Sequence, residues 1–123
     1  SFGIPKLLKH YAELKDMDIE TVDLLTIFDA VKKSEPEAVD CLQWYTQEIA
    51  VRIFNIQTVL DVEQFALGGE LLSYPAFMEY VKKNLNRLYL ECPFQVPKAE
   101  LISCKFSEDA NLIGALQCYL AEL

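Results

Sequence analysis

The stretch Asp61-Val62-Glu63-Gln64-Phe65-Ala66-Leu67-Gly68-Gly69 constrains this chain more than any other. It joins two long helical patterns, and inside it the apolar run from Gln64 to Leu67 stops on a glycine pair. A run that short and that apolar reads as an inner strand of a parallel sheet, covered on both faces. Paired glycines at the carboxyl end of such a strand have two readings. They serve as a tight turn with positive φ, or they let a ligand or another backbone come close. In open α/β sheets, ligands sit at that end of the strands. Any ligand site is therefore expected at Gly68 and Gly69.

Hydrophobic spacing supplies the rest of the element order. Ile4, Leu7, Leu8, Tyr11 and Leu14 recur at helical intervals, with Pro5 tolerated in the first turn, and the helix is expected to end near Lys15. Asp16 to Glu20 is an acidic connector, and Asp18 or Thr21 would cap the next helix. Leu24, Leu25, Phe28 and Val31 predict that second helix, ending near Lys33, where basic residues complement the helix dipole. Pro36, with acidic Glu35 and Glu37 beside it, opens a third. Val39, Leu42, Tyr45, Ile49, Ile53, Ile56 and Leu60 hold the helical period for about 24 residues. Trp44 and Tyr45 are neighbours that must point in different directions, so one of them faces another segment.

After the glycines, Ser73-Tyr74-Pro75 starts a helix carrying Phe77, Val81, Leu85 and Leu88. Cys92 to Pro97 is a turn-rich link, and Glu100 to Phe106 predicts a second strand. Ser107-Glu108-Asp109 would cap a terminal helix burying Leu112, Ile113, Leu116, Tyr119 and Leu120. The expected fold is α/β and helix-rich, with about five helices and a small parallel sheet of about two strands. Strand–helix–strand implies a right-handed crossover. Two parallel strands make a very small sheet, and one edge of the Gln64–Leu67 strand would lie open. Something is expected to complete it, either a second copy of the chain or the rest of a longer protein.

Composition narrows the function. At 123 residues the chain suits one domain, and 52% hydrophobic with 24% charged residues is ordinary for a globular one. The 11 basic against 19 acidic residues give a net charge of −8, which argues against a phosphate-backbone partner. Lys32-Lys33 and Lys82-Lys83 read as solvated helix faces, as do the carboxylates Glu13, Asp16, Asp18, Glu20 and Asp23. No apolar run approaches the ~18 residues of a membrane span, and no signal peptide is visible. Cys41, Cys92, Cys104 and Cys118 lie 51, 12 and 14 residues apart, without the close pairs of a zinc site. Reduced, buried thiols in a cytoplasmic protein are expected. His10 has no Ser or Cys nucleophile at an interpretable spacing and reads as surface or helix-packed.

In combination these segments resemble a known family. Ile49-Ala50, Ile53-Phe54-Asn55-Ile56 and Leu60-Asp61-Val62-Glu63 precede Ala66-Leu67-Gly68-Gly69, and Asp109-Ala110-Asn111-Leu112-Ile113-Gly114-Ala115-Leu116 closes the chain. That order is similar to the carboxyl-terminal region of the ROK family, bacterial sugar kinases and sugar-responsive transcription regulators. It covers residues 37 to 123 well and the first 36 loosely. The resemblance implies a part of an actin-like, hexokinase-type ATPase lobe, the carboxyl-terminal portion of a longer two-lobed protein. It implies ATP with Mg as cofactors of that parent, nucleotide contact at Gly68 and Gly69, and a sugar pocket and catalytic aspartate upstream. Where the family has a third small residue after its glycine pair, this chain has Glu70. The phosphate-binding Asp-x-Gly-Gly-Thr segment and the family's zinc cysteines do not occur in these residues. Phosphoryl transfer needs a positioning base, a metal and a phosphate cradle together, so this chain by itself is expected to be inactive. The alternative is a non-catalytic helical domain for homo-oligomerisation or interaction.

Overall fold

Apolar residues at helical intervals form the first four long elements as the spacing predicts. The structure, a computed structural model, describes residues 3–60, 64–92, 98, 100–103 and 118–122. Helix α1 spans Ile4–Lys15 with Pro5 in its first turn, and it buries Leu7, Tyr11 and Ala12. Asp16 ends it in the left-handed conformation, at φ 52° and ψ 48°. Helix α2 spans Leu24–Lys32, α3 Pro36–Leu60 and α4 Pro75–Glu91.

Two local expectations change between α1 and α2. Asp18 caps a short 3-10 turn, Ile19–Thr21, rather than α2, its carboxylate accepting the Glu20 N–H at 3.1 Å. Asp23 is the cap of α2, accepting the Thr26 N–H at 2.8 Å and the Thr26 hydroxyl at 2.7 Å. Those bonds, the hydroxyl's first, hold the Asp23 carboxyl below its ordinary pKa. The buried face of α2 is Leu24, Ile27, Phe28 and Ala30, while Leu25, expected inside, is 56% exposed. The register follows from the later start, since Leu24 is the first helical residue and Ile27 and Phe28 lie one turn on.

Strand β1 is Gln64–Gly68, β2 Glu100–Ser103 and β3 Cys118–Glu122. All three run parallel in the order β2-β1-β3, with Gln64 opposite both Glu100 and Cys118. The parallel pairing of β1 with β2 is as predicted. The predicted open edge of β1 is not, because β3 fills it, so the sheet has three strands rather than about two. Tyr119 and Leu120, expected in a terminal helix, lie in β3. A contiguous apolar run is compatible with a buried strand or a buried helix, and periodicity does not separate them. The described residues hold four α-helices against about five expected; the rest of the fifth, with its cap at Ser107-Glu108-Asp109, lies outside them. So do Cys104 to Phe106 at the end of the second predicted strand, and the link from Pro93 to Pro97.

The core sits among α1, α2, α3, α4 and β1, where Leu7, Ile27, Leu42, Tyr45, Leu67, Leu71, Phe77 and Val81 are fully buried. Tyr45 turns inward and Trp44 outward, where Trp44 stacks on His10 of α1 with ring centroids 4.0 Å apart. Asn84 of α4, 2% exposed, donates to the Thr46 hydroxyl at 2.9 Å and accepts from the Gln43 amide at 2.6 Å. Thr46 passes its own proton to the Leu42 carbonyl at 2.7 Å, which satisfies a polar bridge inside the α3–α4 seam.

Candidate functional site at the glycine turn

Strand β1 delivers Gly68, buried, to the carboxyl edge of the sheet, and Gly69 emerges exposed. Gly69 has φ 117° and ψ 176°, a conformation open essentially to glycine alone. Among the described residues it is the one glycine with positive φ, so of the pair Gly69 carries the turn's conformational demand. A 3-10 turn follows over Glu70–Ser73, with the Leu72 N–H bonded to the Gly69 carbonyl at 3.2 Å. Leu71 is fully buried and pins the turn from below, while Glu70 points into solvent.

Tyr74 ends this turn and begins α4. Its N–H donates to the Leu71 carbonyl at 3.1 Å, and its carbonyl accepts the Phe77 N–H at 3.0 Å. Its ring lies flat on Phe28 of α2, with centroids 4.2 Å apart and planes 7° apart. The glycine pair marks the turn in the sequence, but the stack is not legible there. Phe28 reads as a core residue of its own helix, and nothing in the local sequence pairs it with a residue so distant.

The carboxyl ends of β1, β2 and β3 gather at this same edge, where Leu67 is opposite Ser103 and Gly68 opposite Glu122. Exposed backbone at a glycine turn suits a polar ligand that is held by main-chain groups and that a side chain would obstruct. The Glu70 carboxylate is compatible with phosphate only turned away from it or facing a metal. No group of three His, Cys, Asp or Glu side chains gathers among the described residues, and Glu13, Asp16, Asp18, Glu20 and Asp23 are solvated.

A concavity lies elsewhere. A cleft of about 380 Å³ opens between α4 and the start of β2, lined by Lys82, Tyr89, Lys98 and Glu100 among others. Glu100 is level with Gln64, so this cleft is at the amino edge of the sheet. The length of β1, roughly 13 Å at the usual strand rise, separates it from the glycine turn. Lys98 crosses it to the Asn86 side-chain oxygen at 3.4 Å and stands 5.9 Å from the Tyr89 ring centre.

The remaining candidates are structural. Cys41 is buried, donates weakly to the Leu7 carbonyl at 3.7 Å, and has its thiol pushed up to about 12 by burial. Such a thiol is inert as a nucleophile near neutral pH. Cys92 is also free and half-buried. His10 is helix-packed under Trp44.

The profile of the ROK family matches residues 5–122. An N-acetylmannosamine kinase of Haemophilus influenzae strain PittGG is 28% identical over 96 residues, 78% of this chain and 30% of that protein. The N-acetylmannosamine kinase of strain Rd is 27% identical over the same length and shares. The chain thus spans about 30% of the length of these curated relatives. No solved structure matches it significantly.

Proposed function

The chain belongs to the ROK family, and we propose that it is the carboxyl-terminal portion of a longer, two-lobed, actin-like sugar kinase. The observation that carries this reading is the exposed Gly69 turn, glycine-only in conformation, at the carboxyl edge of the central strand of a parallel sheet. Gly69, with Gly68 buried behind it, forms one wall of the nucleotide cleft, where the lack of a side chain lets ATP lie against the backbone. ATP, bound with Mg, supplies the phosphoryl group. This segment orients the nucleotide, and the upstream part of the protein provides the sugar pocket and the catalytic aspartate.

The acceptor is a hexose or an N-acylated hexosamine. The kinase names of the relatives favour phosphoryl transfer over sugar-responsive transcriptional regulation. Use of ATP puts the whole protein in the cytoplasm, and no helix among the described residues is long and apolar enough to cross a membrane. The outer edges of β2 and β3 are where the upstream lobe or a second copy of the protein continues the structure.

The test uses the whole protein that contains this segment, with ADP release followed in the presence of glucose, fructose and N-acetylmannosamine. Sugar-dependent ADP release is expected, together with a raised KM for ATP in Gly69→Val. A well-folded whole protein that neither binds ATP nor releases ADP with any of these sugars would sink the reading.

A further inference from the structure

The turn that carries Gly69 has little to hold it in place by itself. A four-residue 3-10 turn has poor hydrogen-bond geometry and is short of any cooperative length. Its entry residue is a glycine, which is free to adopt many other backbone conformations, so the φ of 117° is selected by the surroundings and not by the residue. Side chains hold the turn to the fold: Leu71, fully buried beneath it, Leu72, partly buried, and Tyr74 at its exit. Tyr74 is tied to α4 through its backbone, while its side chain packs elsewhere. Its ring rests face to face on Phe28, which is 2% exposed and belongs to α2. Helix α2 is fixed separately, by the Asp23 cap and by its packing on α3.

We infer that Phe28 and Tyr74 are positioning residues for the nucleotide, their stack setting where the Gly69–Ser73 turn stands relative to the rest of the fold. This rests on the reading of Gly68 and Gly69 as the nucleotide wall. The physical chain is short. If the rings part, Tyr74 loses its lateral restraint, the turn keeps only Leu71, the half-buried Leu72 and its own backbone bonds, and the backbone that faces the ligand samples more positions. Ligand binding then has to order the turn as well, which lowers affinity for ATP but leaves the sugar's own contacts unchanged.

The experiment uses the whole protein with Tyr74→Ala, Tyr74→Leu, Phe28→Leu and Tyr74→Phe. Tyr74→Leu retains apolar bulk without a ring and guards against simple collapse; Tyr74→Phe retains the stack. Two readouts are taken on each: hydrogen exchange of the amides from Glu70 to Tyr74, and the affinities for ATP and for the sugar. Loss of the stack should speed exchange at those amides and weaken ATP binding by about 2- to 10-fold, the range an aromatic pair supports. Sugar affinity should stay unchanged, and Tyr74→Phe should behave as wild type on both readouts. Wild-type exchange in a folded Tyr74→Leu protein would overturn the inference. Faster exchange with unaltered ATP affinity would overturn it equally, as would a parallel loss of sugar affinity. A wild-type protein that does not bind ATP sinks the nucleotide reading instead, and the exchange readout still decides whether the stack holds the turn.

Discussion

Gly69 has φ 117° and ψ 176°, a backbone region closed to residues that carry a Cβ, so its replacement is costly whatever it contacts. Gly69→Ala is expected to lower stability by about 1–3 kcal/mol in urea unfolding, the usual cost of a residue held in such a region. Gly68 has no positive φ, and the same change there acts through packing instead. Four other residues link structure to pH. Burial pushes the phenols of Tyr11 and Tyr45 up from 10.0 to about 12, and the Cys41 thiol from 9.0 to about 12; Glu35, which accepts the Tyr11 hydroxyl at 2.7 Å, adds to the Tyr11 shift. Each folded pKa is raised, so each group holds its proton more tightly in the fold. The stability they contribute is whole below the unfolded values and is lost as pH climbs through the folded ones. The thermal midpoint should therefore fall steadily between about pH 9 and pH 12. Tyr45→Phe should flatten part of that decline, and an alkaline profile no different from wild type would count against the burial effect. Glu35 has the opposite sign. The Tyr11 hydroxyl and then Lys15, at 3.0 Å, hold its pKa down, so its contribution is present above the ordinary carboxylate value and disappears in acid.

Among the elements, the α3–α4 seam is distinguished by its buried polar bridge. Asn84→Ala removes the bonds to Thr46 and Gln43 together and takes from the buried Thr46 hydroxyl oxygen its Asn84 donor, so a loss of about 1–3 kcal/mol is expected in denaturant unfolding. Asn84→Leu should recover part of it if the seam's apolar packing matters more than the bridge. How much of each element was legible depends on which physical signal defines it. Four helices were readable because a buried stripe imposes a 3.6-residue period, and α1 and α3 ended where Lys15 and Leu60 ended the pattern. The Asp23 cap was harder to read, since Asp18, Thr21 and Asp23 all have the right chemistry and only the start of α2 selects among them. Strand β3 was not readable, because Tyr119 and Leu120 also fit a helical face.

For the whole molecule, the sheet is the feature that points beyond this chain. Its centre is β1, paired on both sides, and its edges are β2 and β3. Association of two copies through those edges predicts that this segment, purified alone, sediments as more than a monomer; a well-folded monodisperse monomer in ultracentrifugation would contradict that. The segment alone is also expected to show no ATP-dependent phosphorylation of glucose, fructose or N-acetylmannosamine, since its described residues gather no metal-binding cluster and the chain lacks the phosphate-binding segment. The chain's chemistry was readable wherever it is local. Helical period, the strand that stops on two glycines, and acidic surface all follow from side chains acting within a few residues of each other. The contacts that needed the folded structure join residues far apart in sequence: the pairing of β3 with β1, the bond from Asn84 to Thr46, and the stacking of Phe28 on Tyr74. Those contacts depend on which buried faces meet once the helices have packed, and no single segment specifies its own partner.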